Sequence, residues 1–194
     1  GSGNLPELLY YKFDTGATIT NEASSPVGNN PAFITGSLTV GGAGLQGTSL
    51  VGTGSSSSSN TINTGWSANI SGSFTIGFWS SNVPSSSTLY YIFGDNGADG
   101  FRCFTNGVAG SGNWMIRGGN LPDLVAYGAA TSAPSYVHFV YDANAGTYTS
   151  YVDGVLSETV SAPTSNTMSG TGFTVGGYSS NTGLSGSLDE FRLY

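Results

Sequence analysis

Lysine is almost missing from this sequence: its 194 residues hold one, with three arginines, one histidine, one glutamine and one cysteine. Charged residues make up 8%, where about a quarter is usual. The balance is acidic, with a net charge of −7 and a pI near 4.1. That shortage of cations excludes the basic patches needed to hold nucleic-acid phosphates or anionic lipid surfaces. A single cysteine, Cys103, excludes an internal disulfide, so cysteine usage says nothing of redox compartment. No apolar run is long enough for a transmembrane helix, and no stretch reads as a signal peptide. Helix formers are scarce, with one lysine, one glutamine and four glutamates in all, which argues against a helical fold.

Glycine fills the gap with 31 residues, alongside abundant serine, threonine and asparagine, while aromatics reach 12%. Such a composition suits many strands joined by polar turns, because glycine and asparagine tolerate the positive φ that turns require. Strand-like runs recur along the chain at Leu8 to Phe13, Phe33 to Val40, Ser73 to Trp79, Leu89 to Phe93, Gly100 to Thr105 and Trp114 to Arg117. They continue at Tyr136 to Tyr141, Thr147 to Val152, Val155 to Val160, Phe173 to Gly176 and Gly186 to Tyr194. Between Ser73 and Trp79, Phe74, Ile76 and Phe78 alternate with Thr75, Gly77 and Trp79, the period of two that marks a half-buried strand. Asp153-Gly154 reads as a type I′ hairpin turn. Gly41 to Leu50 reads as a glycine-rich loop entering a strand, and the five serines Ser55 to Ser59 as a flexible loop without a fixed role. Short strands at this spacing predict an all-β sandwich or barrel. Gly1-Ser2-Gly3 resembles a tag scar, so residues 1–4 are read as a tag remnant or linker and residues 5–194 as one domain. That domain is read as monomeric and as part of a larger secreted or cell-surface protein.

Six segments, in order, carry a resemblance: LLYYKFDTG, GLQGTSLVGTG, SFTIGFW, YVHFVYD, YTSYVDGVLSETV and LSGSLDEFRLY. Together they resemble the concanavalin A-like lectin/glucanase superfamily, in particular its bacterial laminin-G-like branch. In YVHFVYD, Tyr136 stands where the family pattern has tryptophan. The resemblance implies an antiparallel jelly-roll β-sandwich. It also implies a choice among lectins, carbohydrate-binding modules, adhesion domains, glycosidases and lyases, because one fold hosts many functions.

The residues weigh against catalysis. A glycosidase needs two carboxyl groups facing each other across the scissile bond. Here Glu7, Glu22, Glu158 and Glu190 are scattered, and Asp189 and Glu190, adjacent on a strand, are expected to point to opposite faces. His138 lies far in sequence from the single Gln46, so the Gln-x-His strand of a jelly-roll lyase is missing; His138 is read as structural and Cys103 as a buried, inert thiol. Gly42-Ala-Gly44-Leu-Gln-Gly47 fits a dinucleotide fingerprint but opens no helix, and is rejected. The sequon Asn69-Ile-Ser71 is read as chance and Trp79 as structural.

A glycan site needs aromatic planes and planar hydrogen-bonding groups. Trp66, Trp114, Tyr127 and Tyr178 are the candidate platforms. If the hairpin Phe101 to Arg117 turns near Ala109, Arg102 stands opposite Arg117 and Cys103 opposite Ile116. Like charges so placed need an anion nearby. Either Asp95, Asp99 or Asp123 supplies it, or a ligand carboxylate or sulfate does, which would indicate an acidic polysaccharide. Asp95-Asn96-Gly-Ala-Asp99 has the spacing of a calcium loop, making Asp95 and Asp99 candidate Ca²⁺ ligands and Asp95 and Asn96 candidate sugar contacts. Asp153 and Asp189 are read as structural. The reading is a non-catalytic carbohydrate-binding or adhesion module that binds glycan. A protein-interaction or spacer domain is the alternative, and a hydrolase or lyase the remoter one.

Overall fold

The computed structural model describes residues 5–106, 112–127 and 132–194, so the turn expected near Ala109 lies outside the described residues. They form β1 (Leu9–Tyr11), β2 (Thr18–Ile19), β3 (Ala32–Ile34), β4 (Thr39–Ala43), β5 (Thr48–Thr53), β6 (Ile62–Asn63), β7 (Phe74–Ser81) and β8 (Tyr91–Asp95). The second half adds β9 (Arg102–Thr105), β10 (Trp114–Arg117), β11 (Leu124–Ala126), β12 (Ser135–Asp142), β13 (Thr147–Val152), β14 (Val155–Ser161), β15 (Phe173–Val175) and β16 (Ser185–Leu193). No helix occurs among the described residues.

The strands make two antiparallel sheets. The first runs β14-β13-β12-β7-β16-β5-β4, with β1 also paired to β16; the second runs β11-β10-β9-β8-β15-β6-β3-β2. First and last strands are thus joined in one sheet, as Leu9↔Leu193 to Tyr11↔Phe191. The glycine-rich stretch read as a loop is in part strand β4, paired to β5 across a register shift at Val40/Gly42. The five-serine run takes a defined course. Ser56 bridges to Thr182, the Ser57 amide donates to Asn181 O at 2.9 Å, and Asn60 Nδ2 donates to Ser56 O at 2.8 Å.

Between the sheets lies an aromatic layer. Phe74, Ile76 and Phe78 enter it from β7, as their alternation predicts. Phe93 of β8 is its hub, with ring centroids 4.9 Å from Phe101, 5.4 Å from Phe173 and 5.8 Å from Phe191 of the opposite sheet. Trp114 packs edge-on against Phe78 at 5.4 Å and is 1% exposed. That corrects its candidacy as a sugar platform: the register turning Arg102 and Arg117 outward turns Trp114 and Cys103 inward.

A second correction concerns Asp189 and Glu190. Strict alternation would separate their side chains, but β16 bulges against β7 between Asp189 and Arg192, with Glu190 at φ 48°. Phe191 keeps its inward stacking on Phe78, and the extra residue, Glu190, turns outward with Asp189 and Arg192. Asp189 is fully buried and accepts the amides of Gln46 (3.0 Å) and Glu190 (2.9 Å). Burial pushes its carboxyl up from 3.8 to about 6, and the charges of Glu190 and Asp14 act in the same direction.

Two measurements test this account. Phe93→Ala removes the hub of the layer and lowers stability by about 3–5 kcal/mol in urea unfolding. Asp189 holds its proton more tightly folded than unfolded, so its contribution is complete below the unfolded pKa and is lost as pH rises through about 6. Wild-type stability therefore falls relative to Asp189→Asn by roughly 1–2 kcal/mol between about pH 4 and pH 7, and parallel pH profiles would refute the assignment.

Candidate functional site

The outer face of the second sheet carries the arginine pair. The strands register as predicted, Arg117↔Arg102 and Ile116↔Cys103. Residues two apart share a face, so Phe104 and Met115 also face outward, making a small apolar cluster with Val125 and Tyr91. Tyr91 lies 5.0 Å from Phe104 and 5.3 Å from Tyr178, so an aromatic strip crosses β9 and β8. Both guanidiniums lie on it: Arg117 over Phe104 at 5.4 Å, Arg102 over Tyr178 at 4.9 Å. Stacking of this kind contributes about 0.5–1 kcal/mol at a partly exposed site and fixes the plane of the guanidinium.

The anion that the paired cations require comes from the chain itself. Arg117 donates from Nε to Asp123 Oδ1 at 3.1 Å and from Nη2 to Oδ2 at 3.0 Å, a two-pronged bridge. Arg102 donates from Nε to Gly100 O at 3.3 Å. Among the described residues no carboxylate comes within 4.0 Å of Arg102, so its terminal nitrogens stay open. An open groove of about 450 Å³ runs past both arginines, bounded by Asp99, Asp123 and the backbone of Gly118 and Gly119. The Gly119 amide donates to Asp99 O at 2.8 Å and holds the two turns at the groove's end together. Two carboxylates and two guanidiniums thus line the groove, and both guanidiniums stack on rings beside it.

The remaining candidates are dispersed. Asn96 is exposed but lines a neighbouring groove with Ser57, Ser58 and Thr174. Tyr127 is 47% exposed at the far end of β11 from Asp123, where its amide donates to Ser157 Oγ at 2.7 Å. Trp66 is half-buried against Phe173 at 5.5 Å. Cys103 faces the core, and burial pushes its thiol up, which keeps it protonated. The strip of Tyr91 and Phe104 was missed by sequence reasoning; Phe104 follows Arg102 by two residues, and that spacing was the available signal.

Asp95 does not fit a cation site, a correction with a plain cause. It is fully buried, and its carboxylate accepts the amides of Gly97 (2.8 Å), Ala68 (2.9 Å), Thr171 (2.7 Å) and Gly172 (3.3 Å). A cation there would face amide protons. Asp99 is exposed, apart from this knot, and among the described residues no three His, Cys, Asp or Glu side chains form a group that could hold a metal ion.

Two eight-stranded antiparallel sheets closed over an aromatic layer, with an open polar groove on one outer face, define a jelly-roll sandwich of the lectin-like class. The chain belongs to the concanavalin A-like lectin/glucanases superfamily, whose laminin-G-type family model matches residues 52–194. No curated protein sequence matches it. Among solved structures it is similar to domain 4 of AbnA, a GH43 extracellular arabinanase from Geobacillus stearothermophilus, in complex with arabinotriose. There the identity is 18% and the TM-score 0.68, over 98% of this chain and 93% of that one. It is also similar to the binding domain of Paraclostridial Mosquitocidal Protein 1, at 14% identity and TM-score 0.70, over 97% of this chain and 48% of that one. The binding domain of botulinum neurotoxin DC, in complex with SialylT, gives 14% identity and TM-score 0.69, again over 97% and 48%. The chain therefore spans about half the length of the toxin domains and nearly all of the arabinanase domain.

Asp95→Ala leaves several buried amides without an acceptor and lowers stability by about 3 kcal/mol. Because the knot is closed by amides, wild type and Asp95→Ala respond alike to EDTA in their thermal midpoints; a calcium-dependent midpoint abolished by Asp95→Ala would reverse this conclusion.

Proposed function

We propose that this chain is a non-catalytic carbohydrate-binding module of a larger extracellular or cell-surface protein, and that it holds a neutral polysaccharide along the Arg102–Arg117 groove. The observation that carries the reading is a groove lined by both guanidinium donors and carboxylate acceptors, with its arginines stacked on aromatic rings. Vicinal hydroxyls both donate and accept, so a sugar can give to Asp99 and Asp123 while receiving from Arg102. With Asp123 already balancing Arg117, an acidic glycan is no longer required to reconcile the two cations. Catalysis by Asp123 is disfavoured because Arg117 bridges both of its oxygens, which still leaves lone pairs to accept sugar hydroxyls. An open groove suits a long chain passing through it, and several weak contacts along such a chain reinforce one another. Placement outside the cell is supported by the extracellular arabinanase and the toxin binding domains that share the fold. A protein-contact role has one observation of its own, the exposed Val155 (70%) and Leu156 (58%) at the β13–β14 hairpin.

A glycan array carrying neutral chains such as arabinan beside sialylated ones separates these readings. Neutral chains retain the wild type, and Arg102→Ala weakens retention roughly tenfold, the loss of one charge-assisted hydrogen bond. Retention of no glycan, or an Arg102→Ala variant indistinguishable from wild type, would sink the proposal.

A further inference from the structure

The outer face of the first sheet carries a pocket that the groove reading does not use. Its floor is Gly77, in the middle of β7, paired with His138 of β12 on one side and Arg192 of β16 on the other. Glycine inside a strand costs about 0.5–1 kcal/mol against alanine. Gly77 has no positive φ to explain it, but a Cβ there would stand 2.6 Å from His138 Cδ2 and 3.0 Å from Tyr136 Cε1. The glycine lets those two rings close down over β7, and beside them lies a cavity of about 340 Å³, within the range of small-molecule sites.

Each wall is held in place. Tyr136 and His138 lie with ring centroids 4.6 Å apart, and the Tyr136 hydroxyl donates to Glu190 O at 2.9 Å. Burial lowers the pKa of His138, which keeps its ring neutral, with one donor and one acceptor. Glu190, at its strained φ of 48°, is 7% exposed and accepts the Tyr10 hydroxyl. Arg192 lies 3.8 Å over the Tyr10 ring and donates to Tyr194 Oη at 3.3 Å. Its nearest carboxylates, Glu190 at 3.7 Å and Glu7 at 3.9 Å, are beyond hydrogen-bond length, so neither holds the guanidinium in a close bridge. The β4–β5 turn brings Leu45 and Gln46 over the opening, tied down where Asp189 accepts the Gln46 amide and Asp14 the Thr48 amide at 2.8 Å. A strand-interior glycine and a positive-φ glutamate both cost stability, and both shape this one cavity.

We propose that this pocket is a second binding site, on the opposite face of the sandwich from the groove, for a single neutral sugar ring. Glu190 with Glu7 and Asp189 behind it disfavours an anion; Arg192 disfavours a cation. An apolar ligand would strand both charges. What fits is a ligand with an apolar face for the Tyr136–His138 wall and hydroxyls to lie between Glu190, Arg192 and Gln46. The site stands on its own residues, and with the groove it would let one module bridge two chains.

The test is an amide-resolved NMR titration with arabinose, galactose, glucose and mannose, each used alone. At least one sugar shifts the amides of Gly77, His138 and Arg192 saturably. Gly77→Val abolishes those shifts by displacing the Tyr136 and His138 rings that wall the cavity. Arg192→Gln, which keeps the cavity open and guards against a misfolded valine variant, weakens binding roughly tenfold. Val155→Thr, on the exposed hairpin, leaves it unchanged. If none of the four sugars moves these amides, or the shifts survive both pocket variants, the proposal is overturned. Arg102→Ala on the array reads the other face, so either site can fail alone.

Discussion

Everything on the two outer faces depends on the aromatic layer between the sheets. Phe93 touches rings from its own sheet and from β16 opposite, and Trp114 reaches Phe78 across the same gap. Interdigitated rings leave little freedom to slide, because close-packed interiors resist shifts of even a methylene. With the inner faces locked, the period of two dictates which side chains face water. The groove and the pocket are what that alternation leaves outside.

Both sites also sit where regularity gives way. Two arginines opposite each other would repel, yet Asp123 and the rings of Phe104 and Tyr178 hold them with their planes fixed. On the other sheet, one extra residue in β16 sends a glutamate outward that strict alternation would have sent in, while Phe191 keeps its place in the core.

Much of this was readable in the chain. The alternation at Phe74 to Phe78 and the order of the six family segments announce the sandwich, and hairpin arithmetic alone places Arg102 opposite Arg117. Gly77 was legible as an outward-facing glycine within a strand, a signal of close approach that was not followed. Other features were not legible, for identifiable reasons. Trp114 looks like a platform until the register turning the arginines outward is seen to turn it inward. Asp95 has the spacing of a calcium ligand, but its partners Ala68, Thr171 and Gly172 are remote in sequence, and only the folded chain brings their amides to it. The bulge at Glu190 has no signature in Leu-Asp-Glu-Phe itself; it falls where the other neighbour of β16 changes from β5, paired up to Leu188, to β1, paired from Phe191.

The amino-acid sequence by itself determined the class of fold, the antiparallel pairing of neighbouring strands and the inward or outward sense of most side chains. These follow from local alternation and turn chemistry, which act over a few residues. Only the tertiary structure decided which outward side chains meet. It carried Tyr178 beneath Arg102, Gln46 over Gly77 and Arg192 into one pocket with His138, because each pair comes from segments distant in sequence and brought together only once the sheets have formed.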